Sequence, residues 1–243
     1  GVFAIMKKII LSGIFEDFID ESNKQFSKSR GFHLNSSDWK PYINITKHQV
    51  FKFISSGLLT SFTYSEISKK SYQQGYRNTD FQRIIQIAFY LYLNNISYDL
   101  IKPFMIKIIE KTNWRIMCTC PAMKFWGFNY ILTKRNSILG PGENRFPDVR
   151  NPKLIGICCK HLWITLNYLH INMDKIVDEI IPFIKNYYGI QTESKRQQTL
   201  KKIGLNGLKK LLSDIKTSIV KIDKSLNYEF DEIIKSKKSI LEK

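Results

Sequence analysis

The chain has 243 residues, 43% hydrophobic and 13% aromatic, which excludes a disordered tail and allows one sizeable core or a core with an appendage. Its 38 Lys plus Arg against 21 Asp plus Glu give a formal net charge of +17, which favours contact with polyanions, although the dominance of Lys over Arg is also what an AT-rich genome produces. No apolar run reaches the roughly 18–20 residues that span a bilayer, and four cysteines in so long a chain are not a secreted disulfide framework.

Met6–Phe18 imitates a secretory signal, but it lacks a small-residue cleavage site, and Glu16, Asp17, Asp20 and Glu21 follow at once. The spacing of Ile10, Ile14, Phe15, Phe18 and Ile19 predicts instead an amphipathic helix from Lys7 to Phe26. Residues 27–45, broken by Gly31 and Pro41, read as irregular; Asn44-Ile45-Thr46 is a glycosylation triplet only in a secreted chain. Thr46 caps a short predicted helix with Val50, Phe51 and Ile54, ending near Gly57. Leu58–Tyr72 is rich in Thr, Ser and Tyr with weak alternation, and fits strand and loop equally. Thr79-Asp80 then opens a helix over Phe81–Leu93, and a second follows over Tyr98–Lys111 with Pro103 in its first turns. Asn94-Asn95 forms the turn of that helical hairpin. Asn113–Thr119 alternates as a strand, with Trp114, Ile116 and Cys118 on one face.

Residues 121–158 read as a long connection holding Gly127, Gly140-Pro141-Gly142, Pro147 and Asn151-Pro152. The glycine-rich piece lacks the Gly-Lys-Ser/Thr ending of a phosphate loop and is a turn. Helices are predicted again over Lys160–Leu169 and Met173–Tyr188, the latter with Ile176, Ile180, Ile184 and Tyr188 on one face and Asp178-Glu179 on the solvated one. Between residues 191 and 243 there are 13 Lys plus Arg against 7 Asp plus Glu. Here Leu208, Leu212, Ile215, Ile219, Ile222, Leu226, Phe230 and Ile233 step by three and four, a pattern that suits a coiled-coil seam and an amphipathic helix lying on its own domain equally well. The expected organisation is therefore a mainly helical domain over 1–190 and a basic helical extension over 191–243. The expected fold class is mainly α with a small β element and a long C-terminal helix.

The chemistry concentrates in Cys118-Thr119-Cys120-Pro121 and Cys159-Lys160-His161-Leu162, 38 residues apart. Thiolate and imidazole are the donors zinc prefers. Two cysteines separated by one residue point to the same side of an extended chain, and a Cys-x-His pair suits a loop entering a helix. Cys118, Cys120, Cys159 and His161 thus form a candidate zinc site, closed by four protein donors and so structural in kind. Three cysteines in metal-ligand spacing also point to a reducing compartment. Cys158 can substitute for Cys159 in principle, but the Cys-x-His spacing favours Cys159, with Cys158 packed in the core. His170 lies too far along its helix to share the site, and His33 and His48 have no partners in sequence. A catalytic Cys–His pair lacks a third, orienting group. A weaker nucleic-acid-binding set is Lys134, Arg135, Arg145 and Arg150 beside Trp126, a mixture of charge and aromatic surface that suits single strands as well as a packed core.

This Cys-x-Cys-Pro … Cys-Lys-His-Leu arrangement, spanning residues 118 to about 170, resembles the SWIM zinc finger, whose four ligands map onto Cys118, Cys120, Cys159 and His161. SWIM-like fingers imply contacts with DNA or protein. The 38-residue interval departs from that family by its length. The longer form, with Phe125-Trp126-Gly127-Phe128-Asn129-Tyr130 and Asn151-Pro152 inside it, is similar to a group of tailed-bacteriophage virion structural proteins. That resemblance implies a non-enzymatic, zinc-stabilised component of a phage particle, located in the virion or host cytoplasm. Its partners would be other virion subunits, in an oligomer, or DNA, and no membrane. The competing expectation is a regulatory nucleic-acid-binding protein of SWIM type. A cysteine-dependent hydrolase is a third, and it requires a thiol that stays reactive while metal is bound.

Overall fold

A computed structural model describes residues 13–27, 46–65 and 67–241, with side chains described as far as Lys237. The beginning of the helix expected from Lys7, and nearly all of the irregular stretch expected over 27–45, lie outside the described residues. The fold is mainly α, with one small antiparallel sheet of order β1-β2-β3 and a long C-terminal helix. Among the described residues, no helix is long and apolar enough to cross a membrane. The chain divides into two compact units that interleave in sequence. One holds residues up to Thr79 together with Thr112–Asn172; the other holds Asp80–Lys111 and residues from Met173 on. The boundary expected at residue 190 falls inside the second unit, because the C-terminal helices pack on the helical hairpin between the second and third strands and not on each other alone.

In the first unit, α1 (Phe15–Phe26) buries Phe15, Phe18 and Ile19, and α2 (Lys47–Ser56) buries Val50, Phe53 and Ile54. Thr46 and Gln49 close a reciprocal capping box on α2, which ends at left-handed Gly57. The ambiguous segment after it is a hairpin: β1 (Leu58–Ser65) pairs with β2 (Lys70–Asn78), and β2 with β3 (Trp114–Cys118). Its alternation is weak because buried Ser61, Thr63 and Gln74 occupy inward positions that a sequence pattern scores as polar. Trp114, Ile116 and Cys118 do face inward, and the Trp114 ring lies 5.0 Å from Phe15 and 5.3 Å from Phe53. The connection after Cys118 holds two short helices, α5 (Pro121–Phe125) and α6 (Phe128–Lys134), before α7 (Lys160–Ile171).

The second unit is helical. It comprises α3 (Phe81–Leu93), α4 (Tyr98–Lys111), α8 (Met173–Tyr187), α9 (Glu193–Asp223) and α10 (Leu226–Leu241). Asn95, in the turn between α3 and α4, has a φ of 56°, a conformation asparagine tolerates. Helix α9 is broken at Gly204, whose φ of 70° and ψ of 173° lie in a region essentially reserved for glycine. The seam expected along the C-terminus folds back on itself. Asp223 accepts hydrogen bonds from the Ser225 backbone and hydroxyl at 2.9 and 2.7 Å and turns the chain between α9 and α10. Ile215 and Ile219 on one arm and Leu226, Phe230 and Ile233 on the other are buried inside this unit. The Phe230 ring stands about 6 Å from both Tyr90 and Phe104. Of the two readings of that seam, the amphipathic pair lying on its own domain is the one seen.

Candidate metal centre

Strand β3 ends at Cys118, opposite Gln74 of β2. The pairing continues one residue further: the Thr119 backbone N–H donates to the Gln73 carbonyl at 2.9 Å, and the Gln73 N–H donates to the Thr119 hydroxyl at 2.9 Å. Thr119 is thereby held facing away, and Cys118 and Cys120 emerge on the same buried side. Cys120 is the N-cap of α5, with Pro121 at the first helical position, where its missing N–H costs nothing. Cys159 is the N-cap of α7; its sulfur accepts from the Leu162 backbone N–H at 3.4 Å, and His161 falls in the first turn.

These elements bring together Cys118, Cys120, Cys159 and His161. Their four donor atoms all lie within 4.8 Å of one another, and Cys118 Sγ stands 4.0 Å from His161 Nδ1. The three cysteines are buried and the histidine half-buried, its ring 5.1 Å from that of Tyr72. The sulfur–sulfur edges of a tetrahedral zinc–thiolate site are about 3.8 Å, so movements of about 1 Å or less would close this cluster on an ion. The four residues could hold a metal ion, as their spacing in sequence leads one to expect.

Electrostatics separate the three thiols. Cys120 is held far below the ordinary thiol range by hydrogen bonds, first from Cys118 and then from Cys159, with His161 and the Met123 backbone N–H contributing. Its place at two helix starts' convergence adds favourable dipoles for a thiolate. Cys118, as the donor to Cys120, is pushed up to about 11, and burial drives Cys159 well up. Without a cation the proton is therefore favoured on Cys118 and Cys159 and disfavoured on Cys120. Cys158, fully buried, is raised by burial and lies outside the cluster.

Residues that sequence reasoning missed position this site. Gln74, fully buried, donates from Nε2 to Cys118 Sγ at 3.5 Å and to the Tyr72 carbonyl at 2.8 Å, while its Oε1 accepts from Ser61 at 3.1 Å and Thr63 at 2.8 Å. Tyr76, also fully buried, exchanges hydrogen bonds with Ser61 and Thr165, which ties β2 to α7. On the approach to Cys159, the Gln25 side chain of α1 pairs with the backbone like a strand: it accepts from Ile157 N–H at 2.9 Å and donates to the Cys158 carbonyl at 2.8 Å. Gly156 has a φ of 80° there, and any Cβ would meet the Gln25 amide. The only sequence signals were a polar residue at an inward strand position and a glycine three residues before a ligand.

The buried Asn151 organises the rest of the interval. Its side chain donates to the carbonyls of Trp126 and Ile155, both at 3.0 Å, and accepts from the Ile155 N–H at 2.8 Å. One member of the weaker charged set is withdrawn from the surface. Arg135 is buried in a bidentate pair with Glu21 at 2.8 Å, its guanidinium 5.2 Å from the Phe18 ring, which removes it from any nucleic-acid surface. Arg145 is exposed and held by Glu143, Lys134 rests its ammonium 5.1 Å from the Tyr130 ring, and Arg150 is exposed. Trp126 is about half exposed, at 48%.

No family model matches the chain, and neither the curated proteins nor the solved structures contain a match, so the likeness to SWIM-type fingers and phage virion proteins rests on the motif residues themselves.

Proposed function

We propose that the chain is a non-enzymatic, zinc-stabilised structural protein of a tailed-bacteriophage particle, acting through contacts with neighbouring subunits or DNA. One observation carries the zinc and the non-catalytic parts of this reading: three cysteine sulfurs and one imidazole nitrogen lie within 4.8 Å of one another. That donor set is characteristic of structural zinc, and four protein ligands leave a tetrahedral ion no vacancy for water or substrate. Bound metal would fasten the end of β3 to the start of α7 and fix the 38-residue interval between them. That interval presents Phe125, Trp126, Phe146, Val149 and Ile155 exposed, with Lys134, Arg145 and Arg150 among them. Exposed apolar side chains of this size support a contact role, and the net charge of +17 supports acidic partners. The placement in a particle is supported by the order Cys-x-Cys-Pro, Asn-Pro, Cys-Lys-His-Leu alone.

Elemental analysis of protein never exposed to chelator should return one zinc per chain; less than about half an equivalent would remove the zinc reading. Cobalt substitution should give the absorption of a tetrahedral thiolate site. Mass spectrometry of purified particles of the phage that encodes the chain should find it as a stoichiometric component. Its absence there would sink the particle reading and leave the zinc staple standing.

A second reading, nucleic-acid binding, is favoured by half-exposed Trp126 in an interval that also exposes Lys134 and Arg150. It requires DNA or RNA affinity that falls steeply with salt. No binding at low salt would dispose of it.

A further inference from the structure

The helical unit contains a half-open cavity of about 650 Å³, a volume typical of sites for small organic molecules. Its walls are largely apolar: Tyr92, Ile96 and Ile101 from α3, α4 and their turn face Ile181 and Pro182 of α8. Two lysines line it. Lys185 Nζ lies 5.2 Å from the Tyr92 ring centroid, and Lys237 donates to the carbonyl of Asn94, two residues further on. Among the described residues, neither ammonium group is held in an ion pair. Lys237 has its charge disfavoured, first by burial and then by the neighbouring Arg196, with Glu193 opposing them. Asp178 also lines the cavity, but it stands two helical turns before Lys185, about 10 Å away along α8. It is already neutralised by Lys102 at 2.7 Å and accepts the Tyr98 hydroxyl. The cavity thus has an apolar body and one cationic end, where the Glu193 carboxylate that also bears on Lys237 is held by Arg196.

We propose that this cavity binds a small organic anion, with an aromatic or similarly flat apolar body between Tyr92 and Pro182 and a carboxylate or phosphate against Lys185 and Lys237. Apolar burial supplies most of the affinity, and the lysines choose the charged end. The proposal does not depend on the metal centre.

The test is calorimetric titration of the zinc-loaded full chain with three matched probes: 1-naphthyl phosphate, 1-naphthoate and neutral 1-naphthol. Both anions should bind saturably, at least about tenfold tighter than naphthol, and the tighter of the two identifies phosphate or carboxylate as the natural head group. Lys185→Met with Lys237→Met should abolish that preference and leave naphthol binding and the melting temperature in place. Should the double variant fail to fold, Lys185→Met alone and Ile181→Trp, which fills the cavity, replace it; the first should weaken only the anions and the second all three probes. Equal affinity for naphthol and the anions, anion affinity untouched by the lysine substitutions, or no saturable binding at millimolar probe would each overturn the proposal.

Discussion

Gln74 Nε2 stands 3.5 Å from Cys118 Sγ across the β2–β3 pair, with its own carbonyl oxygen taken by Ser61 and Thr63. The amide is locked at both ends, so it holds a donor on a sulfur that must carry negative charge when metal is bound. Donors of this kind orient a ligand and tune its basicity, and their loss commonly costs 10–100-fold in metal affinity. Gln74→Met keeps the volume but removes the donor and the shared acceptor, leaving the buried Thr63 hydroxyl without that partner and Ser61 with Tyr76. The expected outcome is zinc affinity lower by about tenfold or more in chelator competition, together with about 1–3 kcal/mol of lost stability in denaturant unfolding. Unchanged affinity in a destabilised variant would show that Gln74 serves only the sheet.

Removing the metal should loosen the fold locally before it unfolds the chain. A closed site ties two distant segments, and its binding free energy is folding free energy. Chelation should therefore expose amide protons in Pro121–Phe125 and the first turn of Lys160–Ile171, read by hydrogen exchange, and lower the melting temperature. His161→Ala should reproduce this with a loss of several kcal/mol. Amide protection that is the same with and without chelator would contradict a stapling role.

The four candidate ligands were legible because soft donors at strand and helix-entry spacing leave a pattern that needs no knowledge of the fold. Long elements were legible for a similar reason: the hairpin Phe81–Lys111 and the helix from Met173 keep their apolar period over three or more turns. The strands Leu58–Ser65 and Lys70–Asn78 were obscured because their buried faces carry Ser61, Thr63 and Gln74, whose polarity is satisfied only by partners far away in sequence. The two short helices after Cys120 are shorter than any window in which a period can be recognised. The C-terminal seam keeps its step through the turn at Lys224-Ser225, since two antiparallel arms each need an apolar face, and spacing alone does not reveal where the chain reverses. Arg135 was misread because a cation beside aromatic residues looks the same in sequence whether its carboxylate, here Glu21, is absent or 114 residues away.

Metal uptake should release about two protons per ion at neutral pH. Without metal, hydrogen bonds from Cys118 and Cys159 favour the Cys120 thiolate, whereas Cys118, pushed up to about 11, and Cys159, raised by burial, favour the thiol. A raised pKa favours the protonated group, so metal must displace those two protons, and affinity must rise with pH. Each released proton contributes tenfold per pH unit, so apparent affinity should fall about 100-fold between pH 7 and pH 6. Calorimetric zinc titrations in buffers of different ionisation enthalpy read the proton count directly. A count near zero would mean that all three sulfurs ionise before the metal arrives.

Arg135 and Glu21 offer the clearest test of a buried interaction away from the metal. The guanidinium is almost wholly buried, with its side chain 2% exposed, and the Glu21 carboxylate remains 28% exposed. Losing one partner therefore harms the chain unequally. Glu21→Gln leaves a buried cation without its anion and should cost about 3–5 kcal/mol, whereas Arg135→Met leaves a carboxylate that water still reaches and should cost less. The double variant, with both charges gone and the Phe18 face still covered by the methionine, should recover much of the loss, because a well-packed apolar replacement often matches a buried ion pair. Chemical denaturation of the three variants and the parent completes the cycle. Additive losses, with no recovery in the double variant, would mean that the two charges act through separate neighbours and not through their bidentate contact.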